Sequence, residues 1–188
     1  MEKAILSIVE EVPGWMTVEE LEFLANEVER LPYRSVVVEI GTFAGRSTIV
    51  LAHTGHVRVI TIDNWSGAKT PEVFYPINKE VFISNCLRVG ISPMEYTSFY
   101  NCESGLYYMD CDSAYAYNFF PDNSIDFWFH DGDHDTVGRD IDNWNRKFKR
   151  TAILCGHDFH YGFSVKADVE ARMSINEVHG TIWVKRGI

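Results

Sequence analysis

The sequence predicts an α/β fold: a doubly wound, mostly parallel sheet of six or seven strands with helices on both faces. Three observations lead there. The run Val36-Val37-Val38 is β-branched and offers no polar residue to either face, as a parallel strand buried between helix layers requires. Similar runs recur near 59–62, 125–130 and 151–155, separated by helical periodicity, and such alternation builds parallel sheets through right-handed crossovers. The first run ends in an acid, Glu39, and passes into a turn with Gly41 and Gly45 that opens a helical pattern. In an open α/β sheet ligands bind outside the strand carboxyl ends, so Glu39 is expected to face a site rather than a core.

The elements follow in order. Residues 17–30 begin with Thr17, followed three positions later by Glu20, a capping-box spacing, and Leu21, Leu24 and Val28 share one face. This helix is expected to cover the sheet edge or the ligand. After the first strand, Gly41 and Gly45 let the backbone turn sharply, and Ser47 and Thr48 sit in the first helical turn. The second strand ends at Asp63. Residues 66–89 start as a Gly/Pro-punctuated loop and continue as a helix, NKEVFISNCLRVG, closed by Gly90. Near its start, Trp65, Phe74 and Tyr75 form either a lid over a substrate or the packing of a long loop on the domain. From Ile91 to Met109, five aromatics give strand character that Asn101 to Gly105 interrupts. Helices are expected at 136–148 and 164–173. INEVH and TIWVKR, either side of Gly180, would make two final strands ending the sheet in an antiparallel strand; otherwise the sheet has six strands.

At 188 residues the chain suits one domain, 1–188, with 1–33 as an N-terminal helical cover and 66–100 as a lid or insertion. Cys86, Cys102, Cys111 and Cys155 form no C-x-x-C pair and no signal-peptide pattern accompanies them, which points to a reducing, cytoplasmic setting rather than a disulfide scaffold. No apolar run approaches the roughly 20 residues of a membrane span. A net charge of -10 argues against nucleic acid, whose affinity comes mainly from Lys and Arg neutralising phosphates. The basic cluster Arg146, Lys147, Lys149 and Arg150 reads as a solvated helix end favoured by the macrodipole.

A dinucleotide fingerprint requires a glycine where this chain has Phe43. The stretch Glu39-Ile40-Gly41-Thr42-Phe43-Ala44-Gly45-Arg46-Ser47 instead resembles motif I of class I S-adenosylmethionine-dependent methyltransferases, above all the small-molecule O-methyltransferases, whose fold is Rossmann-like. The likeness runs on through Val59 to Trp65, Asp112-Ser113-Ala114, the segment SIDFWFHDGDH (Ser124 to His134), Cys155 to Phe159 and Gly180 to Lys185, and includes the macrocin-type sugar and catechol-type enzymes. The resemblance implies S-adenosylmethionine as cofactor. It puts Gly41 and Phe43 on the methionine part through backbone groups, together with Glu39, Thr42 and Gly45 of the same loop, and Ser47 on the methionine carboxylate. It puts Asp63 with Asn64 on the ribose, Asp112, Ser113 and Ala114 at the adenine, and Asp131 beside the cationic donor. For Asp112 the alternative is a plain helix cap.

Methyl transfer needs an acceptor held in line with the donor and made nucleophilic, so a base or a metal is required. The cluster His130-Asp131-Gly132-Asp133-His134 follows a strand directly. In catechol-type enzymes an acid here and two residues after the next strand hold magnesium; the matching positions are Asp131, His157 and Asp158. Magnesium prefers oxygen ligands, whereas His157 suits manganese, iron or zinc better, so the metal is Mg2+ or another divalent ion. The competing view has His157 and Asp158 merely hydrogen-bonding the strand ends or the substrate. His134 stands three residues after Asp131, where those enzymes place their base, and a histidine can take a hydroxyl proton at neutral pH. Asp133 and Asp135 are expected either to orient it or to favour a helix N-terminus, which His134 itself would otherwise cap. His160 and Tyr161 are expected in the acceptor pocket, while His53, His56 and His179 look peripheral.

The expected activity is methylation, with catalytic His134 and Asp131, of a hydroxyl on a small metabolite, a sugar or phenol, as the molecular partner. Exposed aromatics in the insertion are compatible with a homodimer. A metal-dependent hydrolase would use the same His/Asp cluster but leaves the glycine loop without a purpose. A catalytically silent cofactor-binding protein of the same fold is the third reading.

Overall fold

The computed structural model describes residues 3–66, 68–69, 74–75, 78–160 and 164–188. The chain runs α1 (Lys3–Glu11), α2 (Val18–Glu29), β1 (Val36–Ile40), α3 (Arg46–Ala52), β2 (Arg58–Asp63), β3 (Ala68–Lys69), β4 (Phe74–Tyr75), α4 (Lys79–Arg88) and β5 (Met94–Glu95). It continues with β6 (Gly105–Asp110), α5 (Ser113–Ala116), β7 (Ile125–His130), α6 (Val137–Trp144), β8 (Phe148–Gly156), α7 (Val165–Glu170), β9 (Glu177–His179) and β10 (Ile182–Arg186).

The sheet has eight strands in the order β5-β6-β2-β1-β7-β8-β10-β9, rather than six or seven. The final pair does form, and β10 runs antiparallel to both its neighbours. The extra strand is β5, two residues long, too short to show alternation in sequence. β3 and β4 make a separate antiparallel hairpin. All five residues of β1 are buried, and its side chains alternate between two cores as the pleat dictates. Val37, Phe127 and Phe129 pack toward α1, α2 and α3. Val36, Val38 and Trp128 pack toward the residues of α6 and α7 on the opposite face.

Strand order reverses at β1, which has β2 on one side and β7 on the other, both parallel to it. Connections from such neighbours leave in opposite directions and open a crevice at their carboxyl ends. Register aligns those ends: Asp63 is opposite Asp110, Ile40 opposite His130, and His130 opposite Gly156. The residues that follow each strand therefore face one crevice.

Two helices differ from expectation. The capping box forms as read: Thr17 Oγ1 accepts from Glu20 N, and Glu20 Oε2 accepts from Thr17 N at 2.9 Å. However, α2 lies over a sheet face rather than an edge, since Leu21, Leu24 and Val28 join one core with Cys155, Ile182 and Val184. α6 ends at Trp144, and a 3₁₀ turn over Asn145–Lys147 leads straight into β8. Arg146 and Lys147 thus sit in the last helical turn, while Lys149 and Arg150 lie on β8. Arg146 and Lys147 pair with Asp122, and Lys149 pairs with Asp126, so acids on the preceding strand and its entry turn hold these cations.

Trp65 packs against Phe82 and Tyr108, its ring centroid 5.7 Å and 6.2 Å from theirs, which makes it part of the domain's packing rather than a lid. The side chains of Phe74 and Tyr75, and Tyr161 altogether, lie outside the described residues. Cys86, Cys102, Cys111 and Cys155 are all free thiols. Among the described residues, no helix is long and apolar enough to cross a membrane.

Candidate functional site

At the end of β1 the loop approaches β7 so closely that Gly41, at φ +92°, has no room for a side chain. A Cβ there would stand 2.3 Å from the Asp131 carbonyl oxygen. Gly45, at φ +90°, turns the chain into α3, and a Cβ there would meet the Phe82 ring at 2.8 Å. Between them Phe43 takes φ +48°, a strained value for an aromatic residue.

Asp63 braces this loop. Its Oδ2 accepts the N–H groups of Thr42 and Phe43, each at 2.8 Å, and its Oδ1 accepts that of Trp65 at 2.7 Å. Trp65 in turn donates its indole N–H to the Phe43 carbonyl at 3.1 Å, and Trp15 lies over Phe43 with centroids 5.2 Å apart. The Gly41 N–H goes to the Ile62 carbonyl. The N–H groups of Gly41 and Phe43 are thus taken up by the end of β2. A carboxylate accepts about four hydrogen bonds, so Asp63 keeps capacity for a ligand hydroxyl. Asn64 is exposed, and its side chain accepts from Ser66 N at 3.0 Å. A cavity of about 300 Å³ adjoins the loop, lined in part by Gly14, Trp15, Phe43 and Arg46.

Glu39, expected to face a site rather than a core, is enclosed instead. It lies beneath the loop, fully buried, and accepts hydroxyls from Ser47 and Thr61 at 2.6 Å and from Thr48. Burial pushes its carboxyl up to about 7 against the pull of those three donors. The first turn of α3 stacks back over the end of β1, so its short hydroxyls reach inward. The Ser47 hydroxyl thus donates to Glu39, and the buried Thr42 hydroxyl pairs with that of Thr61.

On the other side of β2, Asp112 caps α5 and takes the Ala114 N–H at 2.8 Å, so the cap reading holds and that N–H is not open to adenine. The Ser113 hydroxyl points into the protein, donating to Asp140 Oδ2 at 2.7 Å and accepting from Arg139 at 3.2 Å. Asp140 Oδ2 also lies 3.1 Å from His130 Nε2. Burial raises the Asp140 carboxyl, but the bond to His130 and its neighbours outweighs burial and lowers it overall.

The carboxyl ends of β7 and β8 bring together Asp131, His134, His157 and Asp158. His134 Nε2 is 2.7 Å from Asp158 Oδ2. His157 Nδ1 is 3.4 Å from Asp131 and 3.3 Å from Asp158, and His160 Nε2 is 3.6 Å from the other Asp158 oxygen. Asp158 takes φ +59°, a strained backbone fixed among three histidines. Burial works against its charge, yet hydrogen bonds from His134 and His157 hold its carboxyl well below the usual range. Burial also works against a charge on His157, but Asp131 and Asp158 outweigh it and push the imidazole up to about 11. The hydrogen bond to Asp158 raises His134.

Asp133 and Asp135 do not orient His134. Asp133 accepts the Asp135 N–H at 3.0 Å, and Asp135 is 3.3 Å from the Ser164 hydroxyl. Nor does His134 cap α6, since its ring turns to Asp158 while its carbonyl accepts from Ser164. His53, His56 and His179 bond to Val50 and Glu29, Leu31, and Glu177.

A family model described as a methyltransferase domain matches residues 38–159, from β1 through the turn after β8. The chain belongs to this methyltransferase family. Its motifs resemble those of the class I, S-adenosylmethionine-dependent group. The methyltransferase is similar in structure to a cofactor-bound protein, Rv0187, from MTB (TM-score 0.59, 22% identity, 82% of this chain and 63% of that one). It is similar to precorrin 8W decarboxylase from Methanobacterium thermoautotrophicum (0.63, 17%, 95% of each chain). It is similar to an O-methyltransferase from Bacillus cereus in complex with SAH (0.57, 19%, 84% and 67%). At these identities the likeness establishes a shared fold. No curated protein matches the chain.

Two buried acids outside these motifs contact the histidine that ends β7 and the one that follows β8. Asp140 sits with Val137, Ile141 and Trp144 on one helical stripe, all buried, and a carboxylate in an apolar stripe was the available signal. Glu20 was seen only as a cap, yet its Oε2 lies 3.4 Å from His157 Nε2. Asp131, His157 and Asp158 each offer one ligand atom within 4.8 Å of the others. Two carboxylates and an imidazole fit a divalent ion of the borderline series.

Proposed function

We propose that the methyltransferase transfers a methyl group from S-adenosylmethionine to a hydroxyl oxygen of a small polar metabolite, a sugar or phenol, with His134 as general base. The observation that carries this is His134 at 2.7 Å from Asp158, beside Asp131, on the crevice opened at β1 and β7. The bound sulfonium supplies an electrophilic methyl group whose carbon–sulfur bond breaks as the carbon–oxygen bond forms. The chain's task is to position the acceptor and to remove its proton. His134 takes the hydroxyl proton, and the Asp158 carboxylate orients the ring and stabilises the imidazolium that results. The proton leaves to solvent once the ether has formed.

On the donor side, the braced loop Gly41 to Gly45 forms one wall, with Glu39, Thr42 and Ser47 as its buried support. Asp63 with Asn64 receives the ribose hydroxyls, Asp112, Ser113 and Ala114 border the adenine, and Asp131 complements the cationic methionine end. A divalent cation held by Asp131, His157 and Asp158 would supply Lewis-acid polarisation of the acceptor hydroxyl.

The test of the donor is thermal unfolding with S-adenosylmethionine or its demethylated product. At a hundredfold excess over Kd, stabilisation of about 2.7 kcal/mol is expected. An unchanged melting temperature at saturating ligand rejects the reading.

A further inference from the structure

Glu20 belongs to the capping box of α2 and has no role in the transfer described so far, yet it reaches His157 from that helix. Its Oε1 accepts the N–H and the hydroxyl of Thr181, at 2.7 and 2.9 Å, in the turn between β9 and β10. That turn is shaped around it: Gly180 has φ +60°, and a Cβ there would stand 2.6 Å from Glu20 Oε1. Oε2 accepts the N–H and hydroxyl of Thr17 and lies 3.4 Å from His157 Nε2. Both side chains are buried, Glu20 at 3% and His157 at 7% exposure.

A carboxylate can only accept, so both His157 nitrogens carry protons among these three acids, and with an ion at Asp131 and Asp158 the Nε2–H toward Glu20 is the one that remains. Nδ1 then points between Asp131 and Asp158. A carboxylate behind an imidazole, with the other ring nitrogen turned to further donors, is the arrangement that fixes tautomer and orientation in metal-binding histidines. A bound ion takes the place of the Nδ1 proton.

We propose that Glu20 is the positioning residue of a mixed nitrogen and oxygen cation site at Asp131, His157 and Asp158, which takes a first-row ion such as cobalt, manganese or zinc in preference to magnesium. One imidazole among two carboxylates sets that preference, because magnesium favours an all-oxygen shell. The inference rests on the metal-assisted form of the proposed transfer.

The full chain is titrated with cobalt and, separately, with magnesium, by calorimetry and visible ligand-field absorption. Cobalt is expected to bind more tightly than magnesium and to give ligand-field bands. Glu20→Gln keeps a side chain that can accept at the capping box, and cobalt affinity should fall about 10- to 100-fold. Thr181→Val removes a hydroxyl bond from Glu20 but leaves the carboxylate on His157, so cobalt affinity should stay at the wild-type value. His157→Asn should abolish the preference for cobalt over magnesium, which keeps the test open if the Gln variant fails to fold. Wild type that prefers magnesium or binds neither ion, Glu20→Gln with wild-type cobalt affinity, or an equal loss in Thr181→Val overturns the proposal. The thermal shift with S-adenosylmethionine, taken on the same samples, separates the outcomes: a normal shift without cobalt preference rejects this inference alone, and no shift rejects the donor reading.

Discussion

His134 and Glu39 carry the clearest consequences of single atoms. Removing a positioned base costs about 10²- to 10⁴-fold in rate, so His134→Gln should lower kcat by that amount and leave the thermal shift with donor unchanged. Loss of donor binding in that variant would place the residue on the wrong side of the crevice. Glu39 makes a pH prediction. Its carboxyl lies at about 7 in the folded protein against an ordinary 4.5. The folded state holds this proton more tightly than the unfolded chain, so its stabilising effect is complete below pH 4.5 and is lost as pH rises through 7. The loss is on the order of 3 kcal/mol, and Glu39→Gln should remove that part of the pH dependence. Denaturant unfolding of both proteins across this range checks it; parallel profiles would refute the assignment. The sequence points to Glu39 and Ser47 as site residues, and in the fold both lie buried and bonded to each other beneath the glycine turn. Which way a short side chain points depends on how the first turn of α3 stacks over β1, and no local pattern encodes that.

At the scale of elements, α6 ties the turn that opens α5 to the end of β7. Asp140, fully buried, holds the Ser113 hydroxyl and faces His130, while Arg139 beside it is half-exposed. Asp140→Ala leaves these donors without an acceptor and should cost about 3–5 kcal/mol. Arg139→Ala should cost within about 1 kcal/mol, because solvent screens it. Chemical denaturation distinguishes the two, and equal losses would contradict the burial argument. Elements with strong local signals were legible: the capping box of α2, the β-branched run of β1 and the acid that ends β2. β5 was not, because two residues show no period, nor was the change from α to 3₁₀ winding at Asn145, which leaves the basic residues at the helical end.

For the whole molecule, the reversal of strand order at β1 decides where chemistry can occur. The alternation of strands and helices made this legible before any contact was known. The meeting of Glu20 with His157, 137 positions apart, was not, since it depends on α2 lying across the sheet. The closeness of the β1 and β7 loops makes a further prediction. Gly41→Ala adds backbone strain and a clash with the Asp131 carbonyl, each costing about 1–3 kcal/mol, and should both destabilise the protein and weaken donor binding. A variant with normal stability and donor affinity would show that the loops are free to part.

The contact at Gly41 also bears on how such an enzyme can diversify. With the glycine turn and the Asp131 segment seated backbone to backbone, the ends of β1 and β7 form one casting whose spacing a side-chain substitution elsewhere leaves alone. New acceptors can then be accommodated by exchanging the surrounding loops, as one changes a tool without recutting the machine that holds it.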